Sequence, residues 1–335
     1  MTGKKELLAN FLFSNSAVTN LRMLWPHPNL SILAYHRVVP LPDSRYPYVK
    51  GVISCDTETF DRQLGFVRKH FDVLNFRDIR EIHLAGEEIP PNSLVLTFDD
   101  GYADNYLNML PVLESHDMTA VVFLATHYVD SGELFWVDKL AYTVNRMRPQ
   151  TLVFLDGKHR FEVRDETREQ VRRELGRLCA SVSFSDHLRI LGELEAQAGQ
   201  SPGKDDYELA RPLTWAEVVE LERAGVEIGG HTVTHGFLDR MTSDEIETEL
   251  RDSKHAIDRH LENNAITVCY PAGKYTDEVL RIAASCGYEY GCSYRHGSAR
   301  YTPGIRFEIP RIHVDYDVTL PLFKANLTLP GVFLT

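Results

Sequence analysis

Residues 93–101 read Ser93-Leu94-Val95-Leu96-Thr97-Phe98-Asp99-Asp100-Gly101. A short run of mostly apolar strand formers leads straight into two carboxylates and a glycine. A strand this short and apolar is expected to be covered on both faces, as in a parallel sheet. Two adjacent carboxylates at its end are costly unless something compensates their charge. A metal ion would do so, and would let one carboxylate ligate while its neighbour stays free as a base. Gly101 allows the sharp turn that brings both side chains over the sheet edge. A solvated Asp-Asp-Gly turn is the plain alternative, and this stretch alone does not exclude it.

The same kind of strand recurs on either side. SILAYH (31–36), DVLNF (72–76), TAVVFL (119–124), VEIGG (226–230), ITVCYP (266–271), YEYGC (288–292) and FEIPRIHV (307–314) are separated by helical patterns such as 57–71 and 106–116. Two further helices start with capping boxes, Thr214 with Glu217 and Thr242 with Glu245. This alternation predicts an α/β fold with parallel strands and helices outside, either a (β/α) barrel or an open sheet. Residues 127–211 break the rhythm. They are charge-rich and read as a helical insertion over the C-terminal ends of the strands, a lid or substrate wall. The expected organisation is an N-terminal helical segment (1–29), a barrel (30–314) carrying the insertion at 127–211, and a tail (315–335) packed on the barrel. Within the first segment, 5–25 has apolar residues at helical spacing up to Pro26. It reads as a helix packed on the domain, or as an interfacial foot on a membrane.

Composition narrows the function. The 335 residues are 43% apolar and 25% charged, enough for a sizeable core. The 36 basic and 48 acidic residues leave a net charge of −12, which repels phosphate backbones and argues against a nucleic-acid partner. No apolar run approaches the ~18 residues of a spanning helix, and Met1–Leu8 lacks the features of a secretory signal. Cys55, Cys179, Cys269, Cys286 and Cys292 form an odd set without CxxC spacing. Free thiols in a reducing cytoplasm are the simplest reading, with contact at the inner membrane through residues 5–25 as an additional expectation.

His231-Thr232-Val233-Thr234-His235 follows the strand VEIGG directly. Two histidines four apart can face one ion if the chain turns between them. With 14 histidines in the chain, such a pair is weak evidence by itself. It gains weight from its place at a strand end, as Asp99 and Asp100 have. In a parallel barrel all strand ends meet on one face, so the two motifs can converge. One carboxylate and two imidazoles leave an open coordination position, the arrangement of a catalytic metal site.

TFDDG (97–101) followed by His231-Thr232-x-x-His235 resembles the polysaccharide deacetylase family, carbohydrate esterase family 4, over roughly residues 31–314. The resemblance implies a distorted (β/α) barrel with about seven parallel strands. It implies Asp100, His231 and His235 as ligands of a divalent metal, zinc first and cobalt or nickel as alternatives, and Asp99 as the catalytic base. The family's R-x-P-x-G motif is matched by Cys269-Tyr270-Pro271-Ala272-Gly273, which keeps Pro271 and Gly273 but lacks the arginine that orients the base. Arg311 is the substitute candidate. The backbone N–H of Ala272 falls where the family places an oxyanion donor. The family's Asp and Trp that line the pocket have no clear counterpart. For the histidine that protonates the leaving amine, two residues compete: His36, which ends the first strand, and His313, which lies in the last. Tyr102 is a candidate for lining the groove.

The resemblance thus implies a hydrolase that removes N-acetyl groups from amino sugars of a polysaccharide, oligosaccharide or glycolipid, with an acetylated glycan or lipid-linked sugar as its partner. The alternatives are an O-acetyl sugar esterase, cleavage of a small cyclic amide without metal, and a glycan-binding protein with a degenerate site. Retention of Asp100, His231 and His235 argues against the metal-free route.

Overall fold

The computed structural model describes residues 2–13, 30–40, 46–199 and 202–334. Its strands are β1 (Ser31–Tyr35), β2 (Arg37–Val38), β3 (Ile53–Cys55), β4 (Asp72–Val73), β5 (Ser93–Phe98), β6 (Val121–Leu124), β7 (Gln150–Phe154), β8 (His159–Val163), β9 (Glu227–Gly230), β10 (Thr267–Cys269), β11 (Tyr290–His296) and β12 (Ile309–His313). Strands β1, β12, β11, β10, β9, β6 and β5 follow one another in parallel, and β5 pairs back to β1 to close the ring. This is the closed barrel of seven parallel strands that the family resemblance predicts, one of the two arrangements the alternation allows. Strand β4 pairs with the first residues of β5.

The strands alternate faces with a period of two, and this sorts the core into two layers. Leu94, Leu96 and Phe98 of β5 join Leu33, Tyr35, Phe60 and Leu64 in the layer beneath the helices. Val95 instead joins Ile32, Val121, Phe123, Cys292 and Ile309 inside the barrel. Phe76 and Ile79, from the helix Phe76–Leu84, belong to the inner cluster. The buried Glu227 of β9 accepts hydrogen bonds from the Phe76 and Arg77 N–H groups at 2.8 and 3.1 Å, capping that helix. The opposite end, where the strands finish, is left for the site.

The inserted segment differs from expectation in one respect. It carries the antiparallel hairpin β7–β8 as well as helices. Leu152 and Phe154 are buried on alternate positions of β7, a strand period rather than a helical one, and Gly157 turns the chain at φ 83°. The hairpin and helices share their own core, with Trp136, Leu140, Leu175 and Ile190. Sequence reading also missed the short parallel pair β2–β3. At the amino end, the helix Thr2–Phe13 buries Ala9 and Phe13 against the helix Leu320–Thr328 and Phe333, and leaves Leu7 and Phe11 exposed. The rest of the 5–25 segment lies outside the described residues. Among those described, no helix is long and apolar enough to cross a membrane.

Gly229 shows how full the barrel is. A Cβ there would lie 2.4 Å from Thr267 Oγ1 and 2.7 Å from the Phe123 ring. Gly229→Ala is expected to lose about 1–3 kcal/mol through overpacking, read as a lower denaturant midpoint with unchanged m-value. An unchanged midpoint would mean the interior is looser than this.

Candidate active site

Asp99 is the first residue beyond β5, and its inward parity continues that of Val95 and Thr97. Its N–H donates to Tyr35 O at 3.0 Å. Arg311 of β12 also has inward parity and reaches the same place from the other side of β1. Its Nη1 and Nη2 donate to Asp99 Oδ1 and Oδ2, both at 2.7 Å. The remaining donors go to Thr97 Oγ1 at 3.1 Å, Ser293 O at 3.1 Å and Cys269 Sγ at 3.0 Å. All five N–H groups of a fully buried guanidinium are therefore matched. Burial alone would raise the Asp99 carboxyl, but the bidentate Arg311 holds it well below the usual carboxylate range. Asp99 is an anion at neutral pH, fixed in orientation.

Asp100 turns the other way, at φ 76°. Its Oδ1 is buried without a hydrogen-bond donor, 3.4 Å from His231 Nε2 and 3.2 Å from His235 Nε2. Donor atoms around a tetrahedral ion bound at ~2.0–2.1 Å lie about 3.3 Å apart, so this spacing suits one. The His231 Nδ1 atom lies 2.7 Å from Cys269 O, which fixes the tautomer and leaves Nε2 for a ligand. One carboxylate and two imidazoles, packed around an unpaired buried oxygen, fit a divalent metal.

The two candidate acids differ in setting. His36 follows β1, with its N–H on Ser54 Oγ at 2.9 Å and its Nε2 3.8 Å from Asp99 Oδ2. Its side chain keeps some contact with solvent. His313 is the last residue of β12 and pairs in register with Ala34, two residues before His36. Its ring lies tilted at 31° against Tyr294, with centroids 3.7 Å apart, and its Nε2 is buried without a partner. Burial, followed by the neighbouring Arg311 and His296, pushes its pKa down to about 4. Pro271-Ala272-Gly273 forms a tight turn after β10, with Ala272 in the left-handed region at φ 50°. Tyr102 does not open onto a groove. It is fully buried beneath the insertion, with its hydroxyl on Asp138 Oδ2 at 2.6 Å and the Arg37 guanidinium over its ring.

Sequence reading missed Glu249. This buried carboxylate accepts from the Val233 and Thr234 N–H groups and the Thr234 hydroxyl, each at 2.9 Å, and so clamps the loop between the two histidines. A signal was present. In the helix Ser243–His260, Glu249 shares the buried face with Ile246, Leu250, Ser253 and Ile257. A glutamate on an apolar stripe calls for a partner. Trp136 of the insertion also holds this loop, donating to His235 O at 3.4 Å.

The environment of His313 makes a pH prediction. Its folded pKa lies below the unfolded value of ~6.5, so the unfolded chain binds the extra proton and stability falls as pH drops from about 6.5 towards 4. His313→Phe should flatten that limb of a stability-against-pH curve. An unchanged slope would show that His313 does not carry it.

A family model described as polysaccharide deacetylase matches residues 86–291, more than half of the chain. That span holds Asp99, Asp100, His231, His235 and the Pro271–Gly273 turn, and excludes His36, Arg311 and His313. The poly-beta-1,6-N-acetyl-D-glucosamine N-deacetylase of Escherichia coli (strain K12) is 29% identical over 109 residues, 32% of this chain and 15% of that protein. YxkH of Bacillus subtilis (strain 168) is 22% identical over 245 residues, 73% of this chain and 60% of that protein. The chain thus spans less than two thirds of the length of these relatives. Among solved structures, the Streptococcus pyogenes deacetylase PplD in complex with acetate superposes with a TM-score of 0.61 at 20% identity, covering 91% of this chain and 100% of that one. IcaB from Ammonifex degensii gives 0.56 at 16% identity, covering 91% and 97%. These likenesses speak for the barrel, and the family match speaks for its lineage: the chain belongs to the polysaccharide deacetylase family.

Proposed function

We propose that the chain is a metal-dependent hydrolase that removes N-acetyl groups from amino sugars of a polysaccharide, oligosaccharide or glycolipid. The observation that carries this reading is the division of the Asp99-Asp100 pair. One carboxylate is locked on a guanidinium, and the other faces two imidazoles. The relative named as an N-deacetylase of poly-beta-1,6-N-acetyl-D-glucosamine supports an acetylated amino sugar as substrate.

Asp100, His231 and His235 would hold the ion, zinc in our reading. When bound, such an ion supplies a Lewis acid for the acetamide carbonyl and lowers the pKa of a water. Asp99, held as an anion by Arg311, accepts the proton of the attacking water. The Ala272 N–H donates to the carbonyl oxygen as charge develops there. An amide then needs a proton on its departing nitrogen. His36, 3.8 Å from Asp99 and in contact with solvent, is placed to give it, whereas His313, at a pKa near 4, is neutral when the enzyme works. The free thiols fit a reducing compartment, which supports a cytoplasmic location.

The acid assignment has a direct test. His36→Ala should slow amide cleavage by roughly 10²–10⁴-fold while sparing an activated acetyl ester, whose leaving group needs little protonation. His313→Ala should not separate the two substrates. Equal loss on both substrates in His36→Ala would remove it from the role.

A further inference from the structure

The helix Thr2–Phe13 is apolar on two opposite faces. Ala9 and Phe13 point inward, where the Phe13 ring meets Phe333 edge-on with centroids 6.2 Å apart. The other face carries Lys4, Leu7, Leu8 and Phe11, a single stripe at i, i+3, i+4 and i+7. Leu7 is 71% exposed, Leu8 44% and Phe11 79%. Among the described residues, three of the ten large apolar side chains that face solvent therefore lie on one helix of 12 residues. Single exposed leucines are ordinary, whereas a continuous apolar stripe marks a surface that something covers. A helix that is apolar on both sides needs a cover on both sides.

Charge indicates what that cover is. The chain has 48 acidic residues against 36 basic ones, yet residues 1–29 and 318–335 run the other way. They hold Lys4, Lys5, Arg22 and Lys324, with Glu6 as their one acidic side chain. Helical spacing puts Glu6 on the side away from the stripe, while Lys4 is exposed within it. Lys5 ties the helix to the body, its ammonium donating to Phe333 O at 3.1 Å. Residues 14–29 contain no carboxylate, so they offer Lys4 no counter-charge. Two copies meeting symmetrically through the stripe would set Lys4 against Lys4. An anionic bilayer answers both features. Its acyl chains take Leu7, Leu8 and Phe11, and its headgroups take the Lys4 ammonium, whose alkyl stem lies along the apolar surface.

We infer that the stripe Lys4, Leu7, Leu8 and Phe11 docks on an anionic lipid bilayer. The helix stands on the side of the barrel where the strands finish. Burial lowers the pKa of His296 at the end of β11, and the nearby Lys5 adds to that effect. His296 Nδ1 in turn accepts the His313 N–H at 3.4 Å, beside the candidate site. A chain docked through this helix holds the mouth of the barrel close to the membrane surface. The docking is independent of which bond the chain hydrolyses.

Flotation of the full chain with vesicles tests this. One set of vesicles is phosphatidylcholine alone, and the other includes about 30% phosphatidylglycerol to supply a negative surface. The native chain should float with the anionic vesicles, less so as salt rises, and bind the neutral ones roughly tenfold more weakly. Leu7→Ser with Phe11→Ser should lower binding to the anionic vesicles roughly tenfold or more, and Lys4→Glu should lower it severalfold. Both variants should keep the native melting midpoint, because the replaced side chains face solvent. Failure of the native chain to bind anionic vesicles overturns the inference, as does native-like binding by the double serine variant. Two further outcomes overturn it by naming another cover. Self-association that the double variant abolishes, without vesicle binding, assigns the stripe to a second copy. A lowered melting midpoint in the double variant, again without vesicle binding by the native chain, assigns it to the chain's own residues.

Discussion

The bidentate contact between Asp99 and Arg311 is the constraint on which the rest of the site depends. An ion pair with no access to water is costly to assemble, and it is tolerated only when each remaining donor and lone pair is matched. Here the guanidinium is matched on all five N–H groups, by Asp99, Thr97, Ser293 and Cys269. That arrangement needs β5, β10, β11 and β12 at fixed heights around a closed ring, which the seven-strand barrel supplies. Removing one partner would leave a buried charge unpaired, at a cost of about 3–5 kcal/mol. Cys269 stands at the position where the family motif carries arginine. Its small thiol leaves room for a guanidinium that arrives from β12 instead.

The side that carries Asp100 and the two histidines is built on strained backbone held by hydrogen bonds rather than by charge pairing. Asp100, Thr232, His235 and Ala272 all adopt positive φ, between 50° and 76°. Non-glycine residues in that region cost of order 1–3 kcal/mol each and persist only where the surroundings over-determine them. Glu249 and Trp136 provide that restraint for the histidine loop, from a barrel helix and from the insertion respectively. The inserted segment is thus part of the site's support, fastened through Tyr102 and Asp138 as well.

Much of this was legible in the sequence, for physical reasons. TFDDG and the histidine pair are local motifs at strand ends, and strand ends converge in a parallel barrel whatever lies between them. Arg311 could be singled out because the missing arginine of the 269–273 motif left the base in need of a cation. The parity of β12 puts it on the same face as His313. The features that escaped depend on partners far away in the chain. Glu249 reads as one of many acidic residues on an exposed helix until its apolar neighbours at i−3, i+1 and i+8 are counted. Tyr102 follows the motif directly and was expected at the groove, but Asp138 of the insertion draws its hydroxyl inward. The β7–β8 hairpin was hidden by charged residues on its exposed face, which resemble the flanking helices in composition.

If Arg311 is what fixes and ionises the base, its loss must disable the reaction without emptying the metal site, because it contacts none of Asp100, His231 or His235. The most direct measurement is the turnover and metal content of folded Arg311→Met on one acetylated amino-sugar substrate. The account predicts turnover lowered by about 10²–10⁴-fold, the weight of a positioned base, with metal content near that of the native chain. Turnover close to native in that variant would contradict it.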